Sequence, residues 1–281
     1  MSLGLIRTVQ KAVTYLNPEE VRRDADYPLA VSLNAATPEA MWAMESYFCP
    51  PSLSRTKRDQ VLEILHSRRN PDLEIYEAGM AEIPKHAFKF DLKDPEACVR
   101  AILKKRADLR IVLARHLMPF REPVVKQLIA TVAKENALFS VATALPDVVP
   151  LISLPWAIGE FATDTAFLTM NQVRLAFLVA AASDHPIGYA EQKAELASIL
   201  AGAFGFRAIA RQLVAKIPLG GGLIPKAAIA YAGTRVVGLS MERLYRTGYA
   251  YSQEERNNAY EDAFQKGRVF AGGMVNKLKK R

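Results

Sequence analysis

Cysteine is close to absent from this chain. Only Cys49 and Cys98 occur in its 281 residues. Two residues outside any CxxC pair cannot build a disulfide scaffold, so reduced thiols in a cytoplasmic compartment are the expectation. Histidine is scarce too: His66, His86, His116 and His185 lie far apart, and no HxxH or HExxH motif joins them. No zinc site is expected from that spacing. A phosphate-binding loop is missing. Where G-x-x-x-x-G-K-[ST] would follow the first strand, the chain reads LNAATPEA (Leu33–Ala40), with no lysine and no glycine. Uncharged apolar runs of spanning length are also missing. The densest apolar stretch, Ala137–Asp184, is broken by Asp147, Glu160, Asp164, Arg174 and Asp184. A transmembrane helix needs about 20 mostly apolar residues. A charge at mid-bilayer costs about 2.5–3.5 kcal/mol, so several in one helix make insertion unfavourable. The first residues, MSLGLIRTVQKAVTYLN, carry Arg7 and Lys11 within the apolar run. They read as no secretory signal.

What is present is an ordinary globular balance, 50% hydrophobic and 23% charged, with a formal net charge of +8. The positive charge is clustered. One cluster runs from Lys104 through Lys105, Arg106, Arg110, Arg115 and Arg121 to Lys126; the other holds Lys266, Arg268, Lys277, Lys279, Lys280 and Arg281. Lys104, Lys105, Arg106, Lys277, Lys279, Lys280 and Arg281 are the expected contacts to an anionic membrane surface or an acidic partner. Nucleic acid is disfavoured, because no stacking aromatics are interleaved with the tail charges.

Hydrophobic periodicity divides the chain. Residues 1–20 form an amphipathic helix. An α/β domain follows over 21–146, a helical domain over 147–268 and a basic tail over 269–281. In the α/β part, Pro28–Ala35, Leu73–Gly79, His86–Leu92, Leu109–Arg115 and Ala137–Leu145 read as strands or edge segments. Helices are expected at Pro38–Phe48 with Thr37 as N-cap, at Arg55–Ser67, from Asp94–Pro95 to Lys105, and at Glu122–Asn136. The fold class is therefore α+β: a small α/β domain with a short, partly parallel sheet, then an all-α domain. Helices are expected there at Trp156–Ser183, Tyr189–Phe206, Ala208–Lys216, Pro225–Thr247 and Gln253–Arg268, with a hinge-like loop at Ile217–Pro225. Small residues at Ala201, Gly205 and Ile209, and at Ala230, Thr234 and Gly238, predict close helix packing.

The carboxylates that stand out are Glu160 and Asp164, at i and i+4 of an otherwise apolar helix. Such acids bind a cation, share a proton or engage an arginine of a facing helix. With Arg174, Arg207 and Arg235 they form the candidate interaction or ion-pair set. Ser140 lacks a nucleophile elbow, and Cys49 has no nearby base in sequence, so no catalytic residue is assigned. His116, beside Arg115, suits either a pocket at the sheet's carboxyl edge or a loop within a basic patch.

Two segments, LPDVVPLISLPWAIGEFATDTAFLTMNQVRLAFLVAAASD and AKIPLGGGLIPKAAIAYAGTRVVGLSMERLYRTG, resemble the YcjF-type domain of unknown function. The resemblance covers Pro146–Gly267 and is carried by the Pro-Gly-rich loop and the Thr234–Gly238 step. It implies a bacterial helical domain found in inner-membrane proteins and beside GTPases, without established catalytic residues. SVATALP (Ser140–Pro146) is loosely similar to the base-contacting loop of P-loop GTPases. With the phosphate loop gone, that similarity implies a degenerate layer. The function expected is a non-enzymatic, membrane-associated or partner-binding accessory protein without cofactor or metal. Its partner would be a GTPase, another protein or an anionic membrane surface, and its place the cytoplasm, peripheral or integral at the inner membrane. The alternatives are a nucleotide-binding or enzymatic α/β protein with a pocket at the sheet's carboxyl edge, and a soluble helical scaffold.

Overall fold

A computed structural model describes residues 16–67, 70–143, 164–199 and 222–279. The residues cluster into two units. One comprises Glu20–Val125 with Ala181–Asp184; the other comprises Met1–Glu19, Lys126–Ala180 and His185–Arg281. The first is a small α/β unit and the second is helical.

The α/β unit is built on three short strands, β1 (Val31–Asn34), β2 (Leu73–Glu77) and β3 (Phe88–Phe90), in that order and all parallel. Val31 pairs with Leu73 and Ile75 with Phe88. The period of two is visible in burial: Val31 and Leu33, Leu73 and Ile75, and Phe88 and Phe90 are buried. A short α1 (Pro18–Ala25) precedes the sheet. Parallel strands need crossovers: two helices fill the one between β1 and β2, whereas residues 78–87 join β2 to β3 without a helix. Helices α2 (Pro38–Phe48) and α3 (Arg55–Leu65) pack on β1, and α4 (Pro95–Lys105) packs on β3. Their starts are written in side chains: Thr37, Ser54 and Asp94 each accept a hydrogen bond from the backbone N–H three residues on. The core centres on Phe48, whose ring lies 5.6 Å from Phe90 and 6.2 Å from Phe120.

Two expected strands are helices. Leu109–Arg115 is a 3-10 turn (Ala107–Leu109) running into α5 (Arg110–His116). Ile111, Val112, Leu113 and Ala114 are all buried, and a short apolar run covered on every side has the same pattern in either secondary structure. Ala137–Ala142, the start of the other, is the last part of α6 (Met118–Ala142). Ala137 and Val141 pack with Ala227, Tyr231 and Ala271, while the Phe139 ring stacks on Phe167 at 3.8 Å. Both sides of the helix are covered, which removes the polar face that would have marked its period.

In the helical unit, α7 (Asp164–Ala182), a segment at 193–199, α8 (Leu223–Thr247) and α9 (Gln253–Lys279) join the later part of α6. The helix expected to end at Arg268 runs on to Lys279. Small residues set the helix approach, as the Ala230–Thr234–Gly238 stripe predicts. A Cβ on Gly238 would stand 2.6 Å from Ile129 Cγ1, and one on Gly267 would stand 3.0 Å from the Ala228 backbone. The first amphipathic helix, the Ala201–Gly205–Ile209 stripe and most of the Ile217–Pro225 loop lie outside the described residues. No helix among the described residues is long and apolar enough to cross a membrane.

Candidate functional site

The helical unit contains a cavity of about 460 Å³, within the range of small-ligand pockets. Its floor is one face of α8, with Val236, Val237, Ser240, Met241 and Leu244. One wall comes from Ala194 to Ile199, the other from Ala250, Tyr251 and Arg256. The second wall is fixed by the corner between α8 and α9. Gly248 closes α8 in the left-handed region (φ 79°), where only glycine is free of strain, and its N–H returns to Leu244 O at 2.7 Å. Ser252 and Glu255 then form a capping box. Glu255 N donates to Ser252 Oγ at 3.2 Å and Ser252 N to Glu255 Oε2 at 2.8 Å. The Ser252 amide and Arg243 hold the Glu255 carboxyl below its ordinary pKa. Arg243 also lies over the Tyr251 ring, 4.9 Å from its centroid.

Gln192 fixes the first wall. Its buried amide donates to Ala176 O (3.2 Å) and to Tyr245 Oη (2.8 Å), and its Oε1 accepts from Gly188 N (3.3 Å). His185 stacks on Tyr245 with centroids 4.3 Å apart. Burial, with the Glu195 carboxylate adding to it, raises the Tyr245 phenol above its usual pKa, so it stays a neutral partner.

Beside the pocket, α6, α7 and α8 share a buried polar seam. Asn136 Nδ2 donates to Thr234 Oγ1 at 2.6 Å, Asn171 Nδ2 to Asn136 Oδ1 at 2.8 Å, and Thr234 Oγ1 to Ala230 O at 2.9 Å. Gln172 Nε2 reaches the same hydroxyl at 3.4 Å. Such a network selects one register of the three helices. It gathers no titratable group of its own.

A charged cluster in the α/β unit is of another kind. Asp184, at φ 61°, ends α7 in a Schellman turn, with His185 N on Ala180 O at 2.9 Å. Its carboxylate takes Lys57 Nζ at 2.7 Å and Arg115 Nε at 3.6 Å. Arg121 caps α5 by donating to Ala114 O and Arg115 O at 3.3 and 3.1 Å. Burial first, then the Lys57 charge, pushes His116 down to about 4. Its Nδ1 is buried without a hydrogen-bond partner among the described residues, and the imidazole is held neutral beside the Lys57 and Arg115 cations. Both cysteines are buried and free, and burial pushes Cys98 up to about 12. Neither thiol is activated.

No family model, curated protein or solved structure matches the chain. The pocket therefore has to be interpreted from its own chemistry.

Of the five candidate ion-pair residues, Glu160, Arg207 and the Asp164 side chain lie outside the described residues. Arg174 meets Glu135 of α6 at 3.1 Å, both about four-fifths buried, with side-chain exposures of 21% and 18%. Arg235 is half-buried, and its Nε has no hydrogen-bond partner among the described residues. In the first basic cluster Lys104 and Lys105 are both exposed, and Arg106 is half-buried. Lys105 lies over the Phe88 ring, and Arg106 is held by Asp72 O (2.6 Å) and Asp108 (2.9 Å). Lys277 is exposed on α9; Lys280, Arg281 and the Lys279 side chain are outside the described residues. The pocket expected at the sheet's carboxyl edge loses two of its three strands to α5 and α6. The turn after β1 is closed instead, by Ala36 N donating to Glu77 Oε2 at 2.9 Å. Sequence reasoning missed Ser240, Arg256 and Gln192. The capping box S-x-x-E at Ser252–Glu255, just past Gly248, was a readable sign of a built corner there.

Proposed function

We propose that this protein is a non-enzymatic accessory protein that works by binding, and that the pocket of the helical unit is its binding site. The observation that carries the reading is the cavity itself: a mostly apolar lining, with both sides held by hydrogen-bond networks. Among the described residues no activated nucleophile or base stands beside this pocket, which favours recognition over catalysis. In this reading the exposed cations of α9, among them Lys266, Arg268 and Lys277, hold the protein peripherally at an anionic membrane surface. A GTPase is the protein partner implied by the YcjF-type resemblance. Against a nucleotide site stands the Glu77 carboxylate, which occupies the N–H of Ala36 in the turn where a phosphate would be cradled.

An environment-sensitive apolar dye tests the site. The full chain should bind the dye with a blue shift, and Ser198→Trp, which fills the cavity from an exposed wall position, should abolish binding without lowering the melting temperature. Dye binding untouched by that substitution would remove the pocket from the function. Calorimetry with GTP and ATP should give no heat of binding. Micromolar affinity for either would return the nucleotide-binding alternative.

A further inference from the structure

Helix α9 carries an exposed ridge along its outer side. Glu261, Gln265, Val269, Gly273 and Lys277 follow one another at four-residue spacing, and all five are exposed. Val269 stands in the middle and, at 79%, is the most exposed large apolar side chain of the described residues. The glycines of this helix divide into two kinds. Gly267 is required inside, because a Cβ there would stand 3.0 Å from the Ala228 backbone. Gly272 and Gly273 have nothing within 4 Å of where a Cβ would stand, although glycine is second only to proline in weakening a helix interior. Their missing side chains relieve no contact among the described residues; they leave bare backbone beside Val269, open to close approach. The charges divide as well. Lys266 meets Asp262 at 2.6 Å, and Arg268 donates to Gln265 at 3.2 Å. Glu261 and Lys277, each eight residues from Val269, have no ion-pair partner among the described residues.

We propose that this face of α9 pairs with the same face of a second copy, the two helices antiparallel and crossing at Val269. A two-fold axis at Val269 sets residues equally far before and after it opposite one another. Glu261 of each copy then faces Lys277 of the other, and Gln265 faces Gly273, with the two Val269 side chains between them. The bare glycines admit the facing helix, and ridges of four-residue spacing interlock at a crossing angle of about −50°. A partner of one charge would satisfy only one end of the ridge, whereas a second copy satisfies both ends of both chains. One helix crossing buries less than a standard interface, so the dimer is weak, with a dissociation constant on the order of 10–100 μM. The pairing is independent of the pocket.

Sedimentation of the full chain over a concentration series spanning that range tests it. The unmodified chain should pass from monomer to dimer, and added salt should weaken the dimer. Glu261→Lys should weaken it about tenfold, and Glu261→Lys together with Lys277→Glu should restore it, because the exchange keeps the facing charges opposite. Gly273→Leu should weaken it without lowering the melting temperature, since its Cβ position is open. Under mild oxidation Val269→Cys should cross-link to itself, whereas Asn257→Cys, exposed on the same helix but far from the axis, should not; Cys49 and Cys98 are buried and do not compete. The concentration series needs no substitution, so a variant that fails to fold does not spare the proposal. A chain that stays monomeric throughout overturns it, and binding of that monomer to anionic vesicles would give the face to the membrane instead. A dimer indifferent to both Gly273→Leu and Glu261→Lys, or one that Val269→Cys does not cross-link, overturns it as well.

Discussion

Asp184 answers two demands that few residues meet together. Its backbone sits at φ 61°, where Asp and Asn are tolerated and most side chains are not, while its carboxylate neutralises Lys57 and Arg115. Asp184→Asn keeps the backbone preference and drops the charge, leaving two cations that are 16% and 19% exposed. The loss expected is about 1–2 kcal/mol, measured by urea denaturation. His116 supplies a pH dependence. Its pKa falls from 6.5 to about 4 on folding, so the unfolded chain binds the extra proton between those values. Stability is then full above pH 6.5 and declines as the pH falls toward 4, by an amount of order 2–3 kcal/mol. His116→Gln should flatten that part of the stability curve. Gly238 has no room at all: Gly238→Ala drives a Cβ into Ile129 and Leu175 and should cost about 1–3 kcal/mol in the same assay. At this scale the sequence was partly legible. Thr37 and Pro38 announce the start of α2 by local chemistry alone, whereas the partner of Arg174 was not legible, because Glu135 lies on a helix whose facing neighbour is decided by packing.

Among the elements, β2, β3, α2, α3 and α4 follow from period and caps, since each keeps an outward side that is at least partly exposed; β1 and α8, with few or no exposed residues, follow from apolar runs bounded by turn residues. Helices α5 and the end of α6 do not. Their β-branched and apolar residues are covered all round, so burial rather than periodicity fixes their state. The pocket was illegible for a related reason. Its polar groups are spread over the 193–199 segment, α8 and α9, and their convergence depends on the Gly248–Ser252 corner. That corner is testable. Ser252→Ala removes the cap of α9 and should cost about 1 kcal/mol of stability, with a weaker dye affinity as Tyr251 and Arg256 lose their placement. A caps-only defect would move stability and leave the dye affinity alone.

The chain as a whole divides into a small α/β unit and a helical one, with no spanning helix among the described residues. Fractionation is the measurement at this scale. Release from membranes by high salt, before alkaline carbonate or detergent, is the expected outcome for a protein held by the cations of α9. Retention until detergent would mean that part of the chain enters the bilayer. The seam of Asn136, Asn171 and Thr234 has one further consequence, for the order of assembly. Asn136 and Thr234 are 98 residues apart, and their bond forms only once α8 has docked on α6. The α6–α7 pair needs no third helix for its amides: Asn171 Nδ2 donates to Asn136 Oδ1, and Asn136 Nδ2 reaches Leu168 O at 3.4 Å. Docking of α6 on α7 can therefore come first, with α8 admitted afterwards in the one register that brings Thr234 to Asn136, and a chain cut short of α8 should still hold α6 against α7.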